Sequence, residues 1–144
     1  MLLPDVNVLV YAHRTDIPEH LRYREWLLGI QEAEEPFGIS DFVLSGFLRI
    51  VTNPRIFRKP TPLSIALSFA TELRNALNAV PVGPGPRHWE IFEKLCRDAG
   101  ARGALVPDAY LAALAIESGC EWVTTDRDFA RFPGLRWRHP LDPR

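Results

Sequence analysis

The sequence predicts an α/β fold, a three-layer αβα sandwich around a central, mostly parallel sheet of four to five strands. Short apolar runs alternate with stretches of helical period, which is typical of βαβ units. Turn or capping residues follow most of these runs, as expected where strands pass into helices. The chain has 144 residues, of which 47% are hydrophobic and 24% charged, and residues 1–144 are predicted to form a single domain.

Each predicted element has a local justification. Pro4 ends the first strand because proline cannot donate a ladder hydrogen bond, and Gly119 suits a left-handed helix end. Ser40 and Thr61 are plausible N-caps of two helices. The predicted strands are Leu2-Leu3, Phe37 to Ile39, Ala79-Val80, Leu105-Val106 and Glu121 to Thr124, with a possible last strand at Leu135 to Trp137. The predicted helices are Val6 to Ala12, His20 to Ile30, Asp41 to Val51, a helix from Thr61 to Leu77, a helix within residues 83–100, and Pro107 to Ser118.

Three segments carry aspartates where an apolar run ends: LLPDVNVLVYA, LVPDAYLAALA and WVTTDRDF. Their carboxylates are those of Asp5, Asp108, Asp126 and Asp128. Residues that follow parallel strands point into the crevice beyond the carboxyl edge of the sheet, where open α/β sheets bind ligands. Carboxylates gathered there repel one another unless a cation neutralises them, and hard oxygen ligands favour Mg²⁺ or Mn²⁺.

Each aspartate also has a purely structural interpretation. Asp5 with Asn7 suits a helix cap, Asp108 suits the acidic first turn of a helix, and Asp126 with Asp128 suits a polar turn. Adjacent strand ends lie only about 5 Å apart, so carboxylates on them can share one ion. The occurrence of all three segments in one chain favours a metal site.

The cysteines, the apolar runs and the histidines bear on the compartment of the protein and on other kinds of metal site. The two cysteines, Cys96 and Cys120, form no CxxC motif, which predicts a reduced, cytoplasmic protein. No secretory signal and no apolar run of membrane-spanning length is present. The four histidines lack zinc-site spacing and are interpreted as surface or rim residues: His13, His20, His88 and His139.

The motifs resemble those of the PIN-domain ribonucleases, specifically the VapC toxins of VapBC toxin–antitoxin pairs. The resemblance lies in DVNVLVYA, LSGFLRIVTNPRIF, PDAYLAALAIESG and TTDRDFARFPGLRW, in this order along nearly the whole chain. It implies that Asp5, Asp108 and Asp126 are metal ligands and that Asp128 is a water-mediated ligand or base. Asn7 and Thr125 would be supporting polar groups of the catalytic site.

The resemblance also implies a function. The protein would be an Mg²⁺- or Mn²⁺-dependent endoribonuclease that hydrolyses structured RNA, of the transfer or ribosomal class, to products with a 5′-phosphate and a 3′-hydroxyl. A VapB-type antitoxin would neutralise it, and the toxin would form a homodimer or a larger toxin–antitoxin assembly. Basic residues near the predicted site are candidates for RNA binding: Arg49, Arg55, Arg58, Lys59 and Arg127.

One position departs from the family pattern. Many PIN domains carry a glutamate three residues before the helical arginine, Arg49 here, and this position is Gly46. Asp41 could replace that glutamate only if it faced the same cleft, and stabilisation of a helix N-terminus is its expected role. Because of Gly46, a catalytically silent PIN module that binds RNA or a partner is an alternative function. An Mg²⁺-binding phosphoacceptor signalling domain is a second alternative, which lacks a suitable lysine near the last strands.

Overall fold

A computed structural model describes residues 1–143, and the elements in this range alternate much as predicted. The strands are β1 (Leu2–Pro4), β2 (Phe37–Ile39), β3 (Ala79–Pro81), β4 (Glu121–Val123) and β5 (Trp137–Arg138). The helices are α1 (Val6–His13), α2 (His20–Glu32), α3 (Asp41–Val51), α4 (Leu63–Arg74), α5 (His88–Ala99) and α6 (Leu105–Ser118), followed by a 3₁₀ helix (Arg127–Arg131).

The five strands form one parallel sheet in the order β3-β2-β1-β4-β5. From β1 the chain first winds outward through β2 to β3, then returns to place β4 on the other side of β1. Since parallel crossovers are right-handed, α1 to α4 cover one face of the sheet and α5 with α6 cover the other. The predicted α/β sandwich is therefore confirmed, and its strand order reverses between β1 and β4, where ligands bind in open sheets.

The core occupies both faces of this sheet. Consecutive residues of β4, Trp122 and Val123, are fully buried although their side chains point to opposite faces, and all three residues of β2 are buried. Continuous burial of this kind is typical of parallel strands covered by helices on both sides. The short strands therefore gain their stability from packing against the helices.

One predicted strand is wrong. Leu105-Val106 is the start of α6, which continues through Pro107 to Ser118. Proline is compatible with a first helical turn because the backbone N–H groups there have no partner within the helix. The alanine-rich sequence then sustains the helix until Gly119, whose left-handed conformation (φ 70°) ends it. Asp108 consequently projects from the first turn of a helix, with no strand before it.

Smaller differences concern element ends. Pro4 is the last residue of β1 and pairs in register with Val123. The side chain of Ser40 makes no capping hydrogen bond, and Thr61 lies outside α4, where its hydroxyl contacts His13 Nε2 at 3.1 Å. The last strand begins at Trp137, two residues later than Leu135. Within residues 1–143, none of the helices has the length and apolar character that a bilayer span requires.

Gly38 is predicted to be essential for the close packing of the sheet. A Cβ atom at this position in β2 would lie 2.9 Å from Val82 Cγ2 and 3.2 Å from Leu3 Cδ1, and both of these side chains are buried. We expect Gly38→Ala to lower the free energy of unfolding by about 1–3 kcal/mol through overpacking. Chemical denaturation measures this change.

Gly29 is the matched control, because a Cβ atom there would meet nothing within 4 Å in an exposed part of α2. Gly29→Ala should raise the stability by up to about 1 kcal/mol, the difference in helix propensity between the two residues. Equal effects of the two substitutions would contradict the packing argument.

Candidate active site at the carboxyl edge of the sheet

Asp5 lies at the centre of the site, directly after β1. It is the N-cap of α1, and its Oδ1 accepts a hydrogen bond from the Val6 N–H at 2.6 Å. Its Oδ2 accepts from the Thr124 hydroxyl at 2.7 Å and from Asn7 Nδ2 at 3.2 Å. The residue is only 5% exposed. Asp5 is thus the helix cap of the structural interpretation, and its carboxylate is also buried at the carboxyl edge of the sheet.

Thr124, which the sequence interpretation missed, links the predicted residues. Its hydroxyl donates to Asp5 and accepts from the Asp126 N–H at 3.0 Å and from Asn7 Nδ2 at 3.3 Å. These three bonds use the full capacity of a hydroxyl group, and the residue is completely buried. The predicted Thr125 contributes its backbone N–H, which donates to Asn7 Oδ1 at 3.2 Å. The hydroxyl contact belongs to the preceding residue of the TT pair.

Asp126 and Asp128 stand at the start of the 3₁₀ helix. The Asp126 side chain caps this helix by accepting from the Asp128 N–H at 2.9 Å. Asp126 lines the cleft, whereas Asp128 is exposed beside it. The turn interpretation of these two residues is therefore correct in its hydrogen bonds, and it also places one carboxylate at the cleft.

Asp108 approaches the other carboxylates from α6. Partial burial raises its pKa, and the negative charge of Asp126 raises it further, while the positive charge of Arg131 lowers it. The charge of Asp128 adds a smaller upward shift. The electrostatic coupling shows that the strand ends and α6 bring these carboxylates together, although no strand precedes Asp108.

The pKa of Asp5 is raised to about 6. Desolvation by burial is the main cause, and the hydrogen bonds from Thr124 and the Val6 N–H oppose it. The charges of Asp108 and Asp126 also raise the pKa. The site therefore favours either a proton or a cation close to these carboxylates.

These residues line a cleft with a volume of about 460 Å³. Asp5, Asn7, Asp108, Asp126 and Arg49 all face it, so five of the predicted residues share one cavity. Additional lining residues, which the sequence did not single out for the site, come from α1, α3, α6 and the 3₁₀ helix and include Phe42 and Ser45.

Gly46 also lines the cleft, and its lack of a side chain has a steric reason. A Cβ atom there would lie 2.9 Å from Val6 Cγ2, closer than real contacts allow. Asp41 does not line the cleft: its carboxylate pairs with Arg74 at 2.8 Å on the exposed side of α3. Asp41 therefore does not replace the glutamate that many family members carry.

The predicted basic residues separate into groups. Arg55, Arg58 and Lys59 lie in the loop after α3, outside the cleft lining. The buried Arg14 holds this loop in place. Its Nη1 donates to the Lys59 carbonyl at 2.7 Å, and its guanidinium lies 4.1 Å from the Phe57 ring centroid.

At the other end of the chain, Arg127 is paired with Asp142 at 3.3 Å. Arg131 lies near the site, because its positive charge lowers the pKa of Asp108. The interpretation of all histidines as surface or rim residues is wrong for His88. It is 3% exposed, and its Nε2 lies 3.0 Å from the Tyr110 carbonyl.

The donor set of the cleft is compatible with a hydrated Mg²⁺ or Mn²⁺. It offers carboxylate and amide oxygens, the ligands that these ions prefer. Among residues 1–143, no three His, Cys, Asp or Glu side chains lie close enough to hold one ion together directly. Mg²⁺ commonly keeps several water ligands and uses one or two carboxylates, so the spacing suits water-mediated binding.

Comparison with known proteins identifies the family. A model of the PIN domain matches residues 2–135. Ribonuclease VapC43 of Mycobacterium tuberculosis is 49% identical over 142 residues, which cover 99% of this chain and 97% of the relative. Ribonuclease VapC25 of the same organism is 44% identical over 140 residues, covering 97% and 99%. The chain therefore belongs to the PIN-domain family. Within that family it belongs to the VapC group.

Solved structures agree at the level of the fold. VapBC2 from Rickettsia felis, bound to a DNA fragment from its promoter, matches with a TM-score of 0.68 and 18% identity, covering 96% of this chain and 97% of that one. VapC20 of M. tuberculosis, a sarcin–ricin loop cleaving toxin, matches with a TM-score of 0.64 and 17% identity, covering 94% and 99%.

The pKa of Asp5 predicts an unusual dependence of stability on pH. A raised pKa means that the folded protein binds the proton more tightly than the unfolded chain. Stability of the metal-free protein should therefore fall as the pH rises from about 4 to about 6, by about 3 kcal/mol for a shift from 3.8 to about 6. Thermal and denaturant unfolding in a chelating buffer, across this pH range, measure the slope.

Asp5→Asn should reduce this slope to the part that comes from Asp108, whose pKa is also raised, and should stabilise the metal-free protein at pH 7 by about 1–3 kcal/mol. Asp41→Asn is the control, because Arg74 lowers the pKa of Asp41 and moves its own contribution below this window. An unchanged slope in the Asp5→Asn protein would show that another group is responsible.

Proposed function

We propose that this protein is a metal-dependent endoribonuclease that hydrolyses RNA phosphodiesters at the acidic cleft. The observation that carries the proposal is the buried Asp5 carboxylate, which is coupled to Asp108 and Asp126 and has a pKa of about 6. The names of the VapC relatives as ribonucleases support the reaction class. The proposal that this chain has the same activity is supported by coverage, because the chain spans nearly the full length of each relative.

The metal ligands would be Asp5, Asp108 and Asp126, with at least one of them binding through a water molecule. A bound Mg²⁺ or Mn²⁺ would polarise the scissile phosphate and make a coordinated water more acidic. The protein holds its ligands in place beforehand: Thr124 and the Val6 N–H fix both oxygens of Asp5. Such fixed orientation lowers the cost of reorganisation during the reaction.

Other residues would bind the substrate and move protons. Arg49 faces the cleft and would contact the phosphate oxygens of the RNA. Asp128 is exposed next to the cleft and would accept the proton of the attacking water. The water oxygen would bond to phosphorus, the bond from phosphorus to the 3′ oxygen would break, and that oxygen would take a proton from solvent water. The products would carry a 5′-phosphate and a 3′-hydroxyl.

We further propose that the substrate is structured RNA of the transfer or ribosomal class. The fold neighbour VapC20 cleaves the sarcin–ricin loop, which supports this class by analogy of fold. Arg55, Arg58, Lys59 and Arg127 lie outside the cleft and would contact more distant phosphates of such a substrate.

Cleavage assays test the reaction. Purified protein incubated with total RNA should cleave it in Mg²⁺ or Mn²⁺ and should leave it intact when a chelator is added. Asp5→Asn should lose more activity than Thr124→Val, for which we expect a loss of about 10- to 100-fold, the usual cost of losing the partner that orients a metal ligand.

Thr125→Val is the matched control, because it preserves the backbone N–H bond to Asn7 and should keep most of the activity. Equal cleavage by the wild-type and Asp5→Asn proteins would refute a metal-dependent nuclease. An intact RNA pool with strong RNA binding would instead favour the catalytically silent module.

We propose a VapB-type antitoxin as the partner and a homodimer as the toxin assembly. Structures of VapBC complexes share the fold, which supports such a partner. A partner arginine would suit the carboxylate cluster electrostatically. Expression of this chain alone should arrest growth, and co-expression of a cognate VapB-type antitoxin should restore it and yield a co-purifying complex. Restored growth without a complex would argue against direct neutralisation by the antitoxin. Sedimentation analysis of the purified toxin measures whether it forms the proposed homodimer.

A further inference from the structure

Aromatic side chains from three helices form a continuous series that begins in the cleft. The Phe42 side chain lines the cleft, and the residue is 48% exposed. Its ring centroid lies 5.1 Å from that of Tyr110, which lies 5.6 Å from Phe92. Phe92 in turn lies 5.4 Å from Trp89, which is 66% exposed at the far end. The series therefore connects the acidic site to the open surface of α5.

Core packing does not account for the exposed end of this series in the cleft. The face of α3 that packs in the core supplies Val43 and Phe47, both completely buried, while Phe42 stays half-exposed. A large apolar side chain at the rim of a polar cleft points to a ligand that has both apolar and charged parts. Nucleotides have this character, because every base has a flat π-face and every phosphate is anionic.

The spacing along α3 matches such a ligand. Phe42, Gly46 and Arg49 follow one another at i, i+4 and i+7, so they lie on one helix face, and all three line the cleft. The backbone positions of Phe42 and Arg49 are about 10 Å apart along the helix axis. Gly46, between them, carries no side chain, and the space that a Cβ atom there would need is taken by Val6. The ring of Tyr110, on α6, packs against the ring of Phe42.

We propose that Phe42, supported by Tyr110, is a stacking platform for an unpaired base next to the scissile phosphate, while Arg49 contacts the neighbouring phosphate. This inference rests on the proposed ribonuclease function and adds a determinant of substrate choice. An RNA would be cleaved where a base can leave its own helix and stack on Phe42. Stacking on aromatic side chains tolerates every base, so the platform selects unpaired structure over sequence.

The test uses non-cleaving Asp5→Asn protein and short single-stranded oligoribonucleotides that carry one 2-aminopurine. Stacking on Phe42 should quench the fluorescence of this base at one position of the RNA. Phe42→Ala and Phe42→Leu should both abolish the quenching and weaken binding by about 5- to 100-fold, the range for one lost base–aromatic contact. Phe42→Trp should retain both signals.

Leu67→Ala is the matched control, because Leu67 is an equally exposed apolar residue (44%) on α4, away from the cleft lining. It should bind RNA like the parent protein. Undiminished affinity and quenching in Phe42→Ala would overturn the platform, as would absence of oligoribonucleotide binding by the parent protein. A changed oligomeric state of Phe42→Ala with unchanged RNA affinity would identify a subunit contact and would also overturn it.

The same variants in the cleaving background separate this inference from the proposed function. We expect Phe42→Ala to cleave RNA loops with a raised KM. If Phe42→Ala cleaves RNA as efficiently as the wild type, the stacking platform is refuted and the nuclease function still stands. Absence of metal-dependent cleavage by the wild type would refute the nuclease itself.

Discussion

The burial of the Asp5 carboxylate is the constraint on which the rest of the site depends. A carboxylate that is 5% exposed is costly unless its oxygens receive hydrogen bonds. The donors come from α1, through Val6 and Asn7, and from the end of β4, through Thr124. The strands β1 and β4 must therefore end at the same level, as the pairing of Pro4 with Val123 shows. Sheet register and site geometry are set by the same contacts.

The electrostatics of the site explain why such an arrangement is kept although it costs stability. Asp5, Asp108 and Asp126 each stand at the N-terminal end of a helical element, where the backbone dipoles favour negative charge. This stabilisation is insufficient, because the pKa values of Asp5 and Asp108 remain raised. The repulsion and desolvation that the helix dipoles do not offset would be relieved by a bound cation, and its binding would stabilise the folded state by mass action. Sites with this trade-off between stability and activity are common in enzymes.

The sequence predicted most of the fold and all three acidic residues that line the cleft, whereas the apolar lining and one strand differ for physical reasons. The sequence predicts a strand at Leu105-Val106 because two apolar residues before a proline satisfy the pattern of a strand end, and a proline in a first helical turn gives the same letters. Thr124 escapes the sequence interpretation because periodicity does not specify which of two adjacent threonines points inward where a strand ends. The burial of His88 depends on the packing of α5 against α6, which no local pattern encodes.

Gly46 changes meaning once its surroundings are known. By sequence alone it removes an acidic residue from the family pattern, which would weaken a metal site. In the structure, Val6 occupies the space that a Cβ atom at position 46 would need. The backbone N–H of the same Val6 holds Oδ1 of Asp5. A larger residue at position 46 would therefore push on the group that orients the central carboxylate, and a glutamate there would require a smaller residue at position 6. The glycine thus protects the position of Asp5.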